Sequence, residues 1–175
     1  MLELRDVSLR RGPRLLFSNA SVTLHAGQRV GVTGANGTGK SSLFALLRGE
    51  LHADTGDCRL PPNWTIAQVA QETPALDVPA LDYVLRGDAE LEKLQAELRD
   101  AESMHDGAHI AHLHAQLEAI DGYTAPSRAA RLMHGLGFTA EQERLPVAQF
   151  SGGWRMRLNL AQALMCRSDL LLLDE

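Results

Sequence analysis

Residues 30–47 set the tightest constraint on the fold. Val30-Gly31-Val32-Thr33 has the look of a short strand, and it runs straight into Gly34-Ala35-Asn36-Gly37-Thr38-Gly39-Lys40-Ser41, which fits GxxxxGK(S/T). After Lys40, Leu43, Phe44, Leu46 and Leu47 recur at helical spacing, and Gly49 supplies a stop. Strand, glycine loop and helix in that order open an α/β unit. The residue types follow from chemistry. Glycines let backbone N–H groups converge on phosphate oxygens without Cβ clashes, and the start of the following helix adds partial positive charge. Lys40 is expected to reach the β- and γ-phosphates, the Ser41 hydroxyl to ligate Mg²⁺ and Ser42 to donate to the α-phosphate.

The remaining sequence narrows the class. With 175 residues, 45% of them apolar and 22% charged, the chain can bury a core. A net charge of −5 argues against a sequence-blind nucleic-acid clamp. Cys58 and Cys166 are too few and too separated for a disulfide scaffold or zinc ribbon; they fit a reducing, cytoplasmic compartment as small core residues. The N-terminus lacks an apolar signal segment, and no window approaches ~18 consecutive apolar residues, so no membrane span is expected.

Upstream of the loop, Leu2, Leu4, Val7 and Leu9 nearly alternate up to the turn signal Arg11-Gly12-Pro13, and Val22 and Leu24 resume the pattern. A further strand is expected at Trp64–Val69. Over 88–120, two apolar stripes, Leu91/Leu94/Leu98/Ala101 and Ile110/Leu113/Leu117/Ile120, predict an antiparallel helical hairpin broken at Asp106-Gly107. Its first half, Asp88 to Asp106, is strongly acidic. A helix is expected from Ser127 to Leu136, closed by Gly137, and the run Ser168–Glu175 reads as a buried parallel strand. A buried strand ending at the last residue predicts either a fragment of a longer protein or a truncated gene model. His105, His109, His112 and His114 do not make a metal site on this pattern, since Gly107 interrupts the helix and no cysteine or placed carboxylate completes a tetrahedral set.

Two further motifs carry chemistry. In Leu170-Leu171-Leu172-Leu173-Asp174-Glu175, an acidic residue at the end of a buried strand beside the loop can hold the Mg²⁺ water shell, and the adjacent Glu175 can orient an attacking water. Ser151-Gly152-Gly153 opens a helix with a hydroxyl, two exposed amides and a positive dipole end; taken alone it reads rather as an ordinary serine N-cap, and its position just before the Leu170–Glu175 strand favours the anion-binding reading.

The phosphate loop, Gln71, SGGxxxR and LLLLDE in this order resemble the ATP-binding cassette (ABC) ATPases over the whole chain. The resemblance implies a P-loop NTPase α/β core with an antiparallel β-subdomain and a helical subdomain. It implies that residues 1–175 are part of one ATP-binding domain whose C-terminal part is missing, with 88–120 as an inserted hairpin arm. It implies that Gln71 contacts Mg²⁺ and the attacking water, that Asp174 holds Mg²⁺, and that Glu175 is the catalytic carboxylate. It also implies that Ser151, Gly152 and Gly153 act in trans, on ATP held by a second cassette.

Three departures stand out. Where the family often stacks adenine on an aromatic ring, this chain has Leu9-Arg10-Arg11-Gly12, and the Arg11 guanidinium is expected to stack instead. Trp154 stands where transporters usually have Gln. The family's later parts, its D-loop and switch histidine, do not appear before Glu175, so this chain by itself is expected not to complete a hydrolytic site. Gln71 and Ser151 are eighty positions apart, longer than transporter cassettes generally allow. With SGGWRMRLNLAQAL, QETPALDVPALDYVLRGD and AIDGYTAPSRAARLMHGLGF, the chain resembles the first cassette of the ABC-F proteins, soluble tandem-cassette ATPases that act on the ribosome and translation. That resemblance implies contacts of the arm with rRNA, tRNA or ribosomal protein, whereas its acidic charge by itself suits a basic protein surface. The competing reading is the ATP-binding subunit of an ABC transporter.

Overall fold

The computed structural model describes residues 1–69 and 75–174. The chain divides into two compact units, Met1–Ile66 with Ser168–Glu175, and Ala67–Arg167.

In the first unit, β1 (Leu2–Arg11), β2 (Arg14–Leu24) and β3 (Thr55–Arg59) form an antiparallel sheet in the order β2-β1-β3. A two-residue connection, Gly12-Pro13, joins β1 to β2, with Arg11 opposite Arg14. The three-residue step from Leu4 to Val7 in the sequence has a structural counterpart. The register shifts there, Asp6 takes φ 46°, and Ser21 Oγ both accepts from the Asp6 backbone N–H (2.8 Å) and donates to its carboxylate (3.1 Å). One extra residue flips the inward face from even to odd positions, so Leu2, Leu4, Val7 and Leu9 are all buried. Beneath the sheet, α1 (Lys40–Leu47) contributes Leu46 and Leu47 to a core shared with Leu2, Leu4, Val7 and Leu172. The strand β4 (Ile66–Gln68) is shorter than the expected 64–69, and it forms a two-stranded sheet with β5 (Leu170–Leu172). Thr65 anchors the chain's end: its carbonyl accepts from the backbone N–H of Asp169 (2.9 Å) and Leu170 (3.3 Å), and its N–H donates to the Asp169 carboxylate (2.9 Å).

The expected strand at Val30–Thr33 does not form. None of the described residues pairs with it, and Val30 and Val32 remain 56% and 42% exposed. A strand of a parallel sheet is defined by its hydrogen-bonded neighbours, and here the run has none. β5 is likewise less buried than expected, because β4 is its one neighbour among the described residues: Leu172 is buried while Leu173 is 55% exposed.

The second unit is helical: α2 (Ala80–Leu85), α3 (Ala89–Ser103), α4 (Gly107–Ala119), α5 (Ala125–Gly135) and α6 (Gly152–Met165). The two stripes read from the sequence meet as predicted, with Leu91, Leu94, Ala101, Leu113 and Leu117 buried in one core and Leu98, Ile110 and Ile120 packed against it. The break sits slightly earlier than expected. Met104 caps α3, His105 takes φ 58°, and Asp106 accepts from the His109 backbone N–H (3.1 Å) as the N-cap of α4. Gly107 is therefore the first residue of α4 rather than part of the break, because an Asp N-cap satisfies an otherwise orphan helix donor. α5 begins at Ala125, two residues before the expected Ser127, with Pro126 in its first turn where a missing N–H costs nothing. β3 and α2 were not expected at all. TGDCR carries no apolar alternation, and α2 is only six residues long.

Asp88 ties three elements together. It is 4% exposed, accepts from the Leu91 backbone N–H as N-cap of α3, and pairs with Arg128 (2.7 Å) and Arg167 (3.5 Å). Asp88→Asn keeps the cap while removing the charge. With both arginines partly in solvent, the expected cost is about 1–2 kcal/mol, measurable by urea unfolding followed by circular dichroism. No helix among the described residues is long and apolar enough to cross a membrane.

Candidate nucleotide-binding site

The loop between β2 and α1 is shaped by its own side chains. Thr38 returns both its backbone N–H (3.3 Å) and its hydroxyl (2.8 Å) to the Ala35 carbonyl, closing the turn. Gly37 and Gly39 take φ 78° and 108°, a region side chains disfavour. Gly39 is also pressed by Leu16, whose Cβ stands 3.0 Å from where a Cβ on Gly39 would lie. Gly39 is the N-cap of α1 and, as glycine, caps with no side chain. The first amides of α1, those of Lys40, Ser41 and Ser42, therefore keep their donors directed at the loop. Lys40 curls back, its Nζ donating to the carbonyls of Gly34 (2.9 Å) and Ala35 (3.3 Å). The ammonium is thus held inside the ring of Gly34–Gly39. A cavity of about 520 Å³ opens beside it, lined by Gly34, Thr38, Gly39 and Lys40 on one side and by Leu16 and Phe17 on the other.

At the end of the chain Asp174 is buried, 8% exposed, two residues past β5. The hydrogen bond from Arg48, the C-cap of α1, to Glu50 raises the pKa of Arg48, and the Asp174 carboxylate adds a smaller contribution. The same hydrogen bond holds Glu50 below the usual carboxylate range. Gln71 and Glu175 lie outside the described residues.

Ser151 occupies the N-cap position of α6 with extended backbone, but its hydroxyl makes no capping bond. The serine N-cap alternative therefore does not describe this residue. Ser151, Gly152 and Gly153 are all exposed. Just inside the helix, Trp154 packs edge-on against Phe138 (4.8 Å between ring centroids), with the Arg157 guanidinium carbon 4.6 Å from the centroid of its ring. Arg157 also donates to the Leu136 carbonyl (3.3 Å), so the start of α6 is fixed by an aromatic and cationic stack rather than by its serine. Deeper in the helix, the Tyr83 hydroxyl donates to Asn159 Oδ1 (2.6 Å), burying both.

Arg11 is exposed at the β1–β2 turn. Sequence reasoning passed over its cross-strand partner Arg14, whose guanidinium lies beside Gly37. No signal in the sequence alone marks it, because the approach of Leu16 and Arg14 to the loop is set by how β2 folds. The histidines are dispersed, with His105 in the turn and His109, His112 and His114 on α4; among the described residues no cluster suited to a metal occurs. Burial raises the thiol pKa of both Cys58 and Cys166, with the Asp88 carboxylate adding to the effect at Cys166. A raised pKa leaves less thiolate at neutral pH. Alkylation by iodoacetamide is therefore expected to be at least several-fold slower in the folded protein than in urea, as read by mass spectrometry.

The profile of the ABC transporter family matches residues 17–175. The chain is 55% identical, over all of its 175 residues, to "Probable ATP-binding protein YheS" of Escherichia coli K12, of which it covers 28%. It is 40% identical over 178 aligned positions to ATP-binding cassette sub-family F member 3 of Homo sapiens, covering 97% of this chain and 24% of that protein. The chain thus spans about a quarter of the length of these relatives. Among solved structures, a metal-chelate type ABC transporter in an inward-facing conformation superposes with TM-score 0.65 at 22% identity, covering 99% of this chain and 59% of the other. An ABC transporter ATP-binding protein from Pyrococcus furiosus gives 0.71 at 16% identity, covering 99% and 74%. Phosphate loop, antiparallel sheet and helical unit have the P-loop ABC-ATPase fold, and the chain belongs to the ABC transporter family.

Proposed function

We infer that these residues bind ATP as the leading part of an ABC-F-type ATPase. The observation that carries this is the held Lys40 ammonium beside the uncapped start of α1. Cation and convergent amides together make a cradle for a polyphosphate. The cradle comprises Gly34, Ala35, Asn36, Gly37, Thr38, Gly39, Lys40, Ser41 and Ser42. The similarity to YheS and to sub-family F member 3 supports the ABC-F assignment. On this reading 1–175 are part of an ATP-binding domain, with 88–120 as its hairpin arm. Ser41, Asp174 and Gln71 would hold Mg²⁺; they offer only oxygen donors, which suits a hard cation. Bound there, the ion supplies neutralisation of phosphate charge. Glu175 orients the attacking water. The free Ser151 hydroxyl, with Gly152 and Gly153, serves ATP on a second cassette, and the uncapped state of that hydroxyl fits this role.

The partner is the ribosome, met through the arm in the cytoplasm. A transporter subunit is the second reading, favoured by the family's description and by the folds of the solved neighbours. One experiment separates the two. A full-length protein carrying Glu175→Gln should still bind ATP, remain closed on it, and co-sediment with ribosomes in an ATP-dependent way. Rapid turnover by this variant overturns the role of Glu175. Co-fractionation with membranes and none with ribosomes overturns the ABC-F reading.

A further inference from the structure

One face of β2 runs along the phosphate loop. Leu16 presses on Gly39, and two residues earlier the Arg14 guanidinium nitrogens stand 3.8 and 3.9 Å from where a Cβ on Gly37 would lie. Strand and loop thus share a two-residue period, apolar at one step and cationic at the next. Arg11 lies directly across the hairpin from Arg14 and so on the same face of the pair. Like charges placed opposite one another repel, yet neither guanidinium has a hydrogen bond or ion pair among the described residues. Asp54, the acid that reaches this end of β1, has an oxygen engaged by the Arg10 backbone N–H (2.6 Å) instead. Opposed, unneutralised guanidiniums beside a ring of amides form an arrangement completed by an anion of more than one charge.

We propose that Arg14 donates to the phosphate tail of the bound nucleotide, as a second cation beside Lys40, and selects for di- and triphosphates over monophosphates. This rests on the nucleotide reading of the loop. Arg14 takes the polyphosphate from the strand side, and Arg11 contributes its field at longer range. The planar fork of Arg14 can engage two phosphate oxygens at once.

Titration calorimetry on the full-length protein with ATP, ADP and AMP tests the assignment. Arg14→Ala is expected to weaken ATP and ADP binding roughly tenfold to a hundredfold and AMP binding much less, with unchanged circular dichroism. Arg14→Lys should recover part of the loss, and Arg11→Ala should lose less than Arg14→Ala. Unaltered ATP affinity in a folded Arg14→Ala protein overturns the proposal. So does an equal loss for all three nucleotides, which would put the guanidinium on the nucleoside. Absence of heat from the unsubstituted protein overturns the nucleotide reading itself, and the Arg14 assignment with it.

Discussion

Lys40→Ala is expected to weaken ATP binding on the order of a hundredfold, about 3 kcal/mol. Its ammonium is already gathered over the carbonyls of Gly34 and Ala35, so little ordering remains to oppose phosphate binding. Alanine removes the positive charge and also releases the two carbonyls that the ammonium now holds. Their unbalanced partial negative charge then faces the incoming phosphates, which makes the loss larger than that of a solvated lysine. Calorimetry with ATP reads the effect, and a Lys40→Ala protein with undiminished affinity would rule out the cradle.

The second large effect is structural. Gly87→Ala is expected to destabilise the helical unit by about 3 kcal/mol or more. A Cβ at this position would run into the backbone carbonyl of Gln162, which lies on α6 and cannot swing aside as a side chain would. The clash falls at a point where α2 and α6 are already locked, since Gln162 Nε2 donates to the Tyr83 carbonyl (2.8 Å). Relief requires parting the two helices and losing the buried Tyr83–Asn159 bond. Urea denaturation of the purified variant, followed by far-ultraviolet circular dichroism, gives the midpoint. A midpoint equal to that of the unsubstituted protein would show that the helices separate at no cost.

Much of the fold was legible because apolar spacing is a direct record of burial. The stripes Leu91–Ala101 and Ile110–Ile120 named both arms of the hairpin, and both line one core. The shift of parity between Leu4 and Val7 recorded a bulge in the sheet. Val30–Thr33 misled for a reason of the same physics. Spacing reports which face would be buried, but a strand also needs neighbours to hydrogen-bond, and those are set by tertiary pairing. β3 stayed hidden since TGDCR pairs with β1 through its backbone while most of its side chains face solvent. At the site, the glycine loop and Lys40 were explicit in the sequence. Arg14 was not, because its proximity to Gly37 depends on how β2 folds over the loop.

The anchoring of Trp154 by Phe138 and Arg157 has a practical consequence. The chain has two tryptophans, and the other, Trp64, packs against the core of the first unit. Each indole therefore samples a different unit, and the guanidinium stacked on Trp154 gives that ring its own electrostatic surroundings. A pair of single-tryptophan proteins would turn intrinsic emission into two separate gauges, one for the sheet that carries the phosphate loop and one for the helix headed by Ser151.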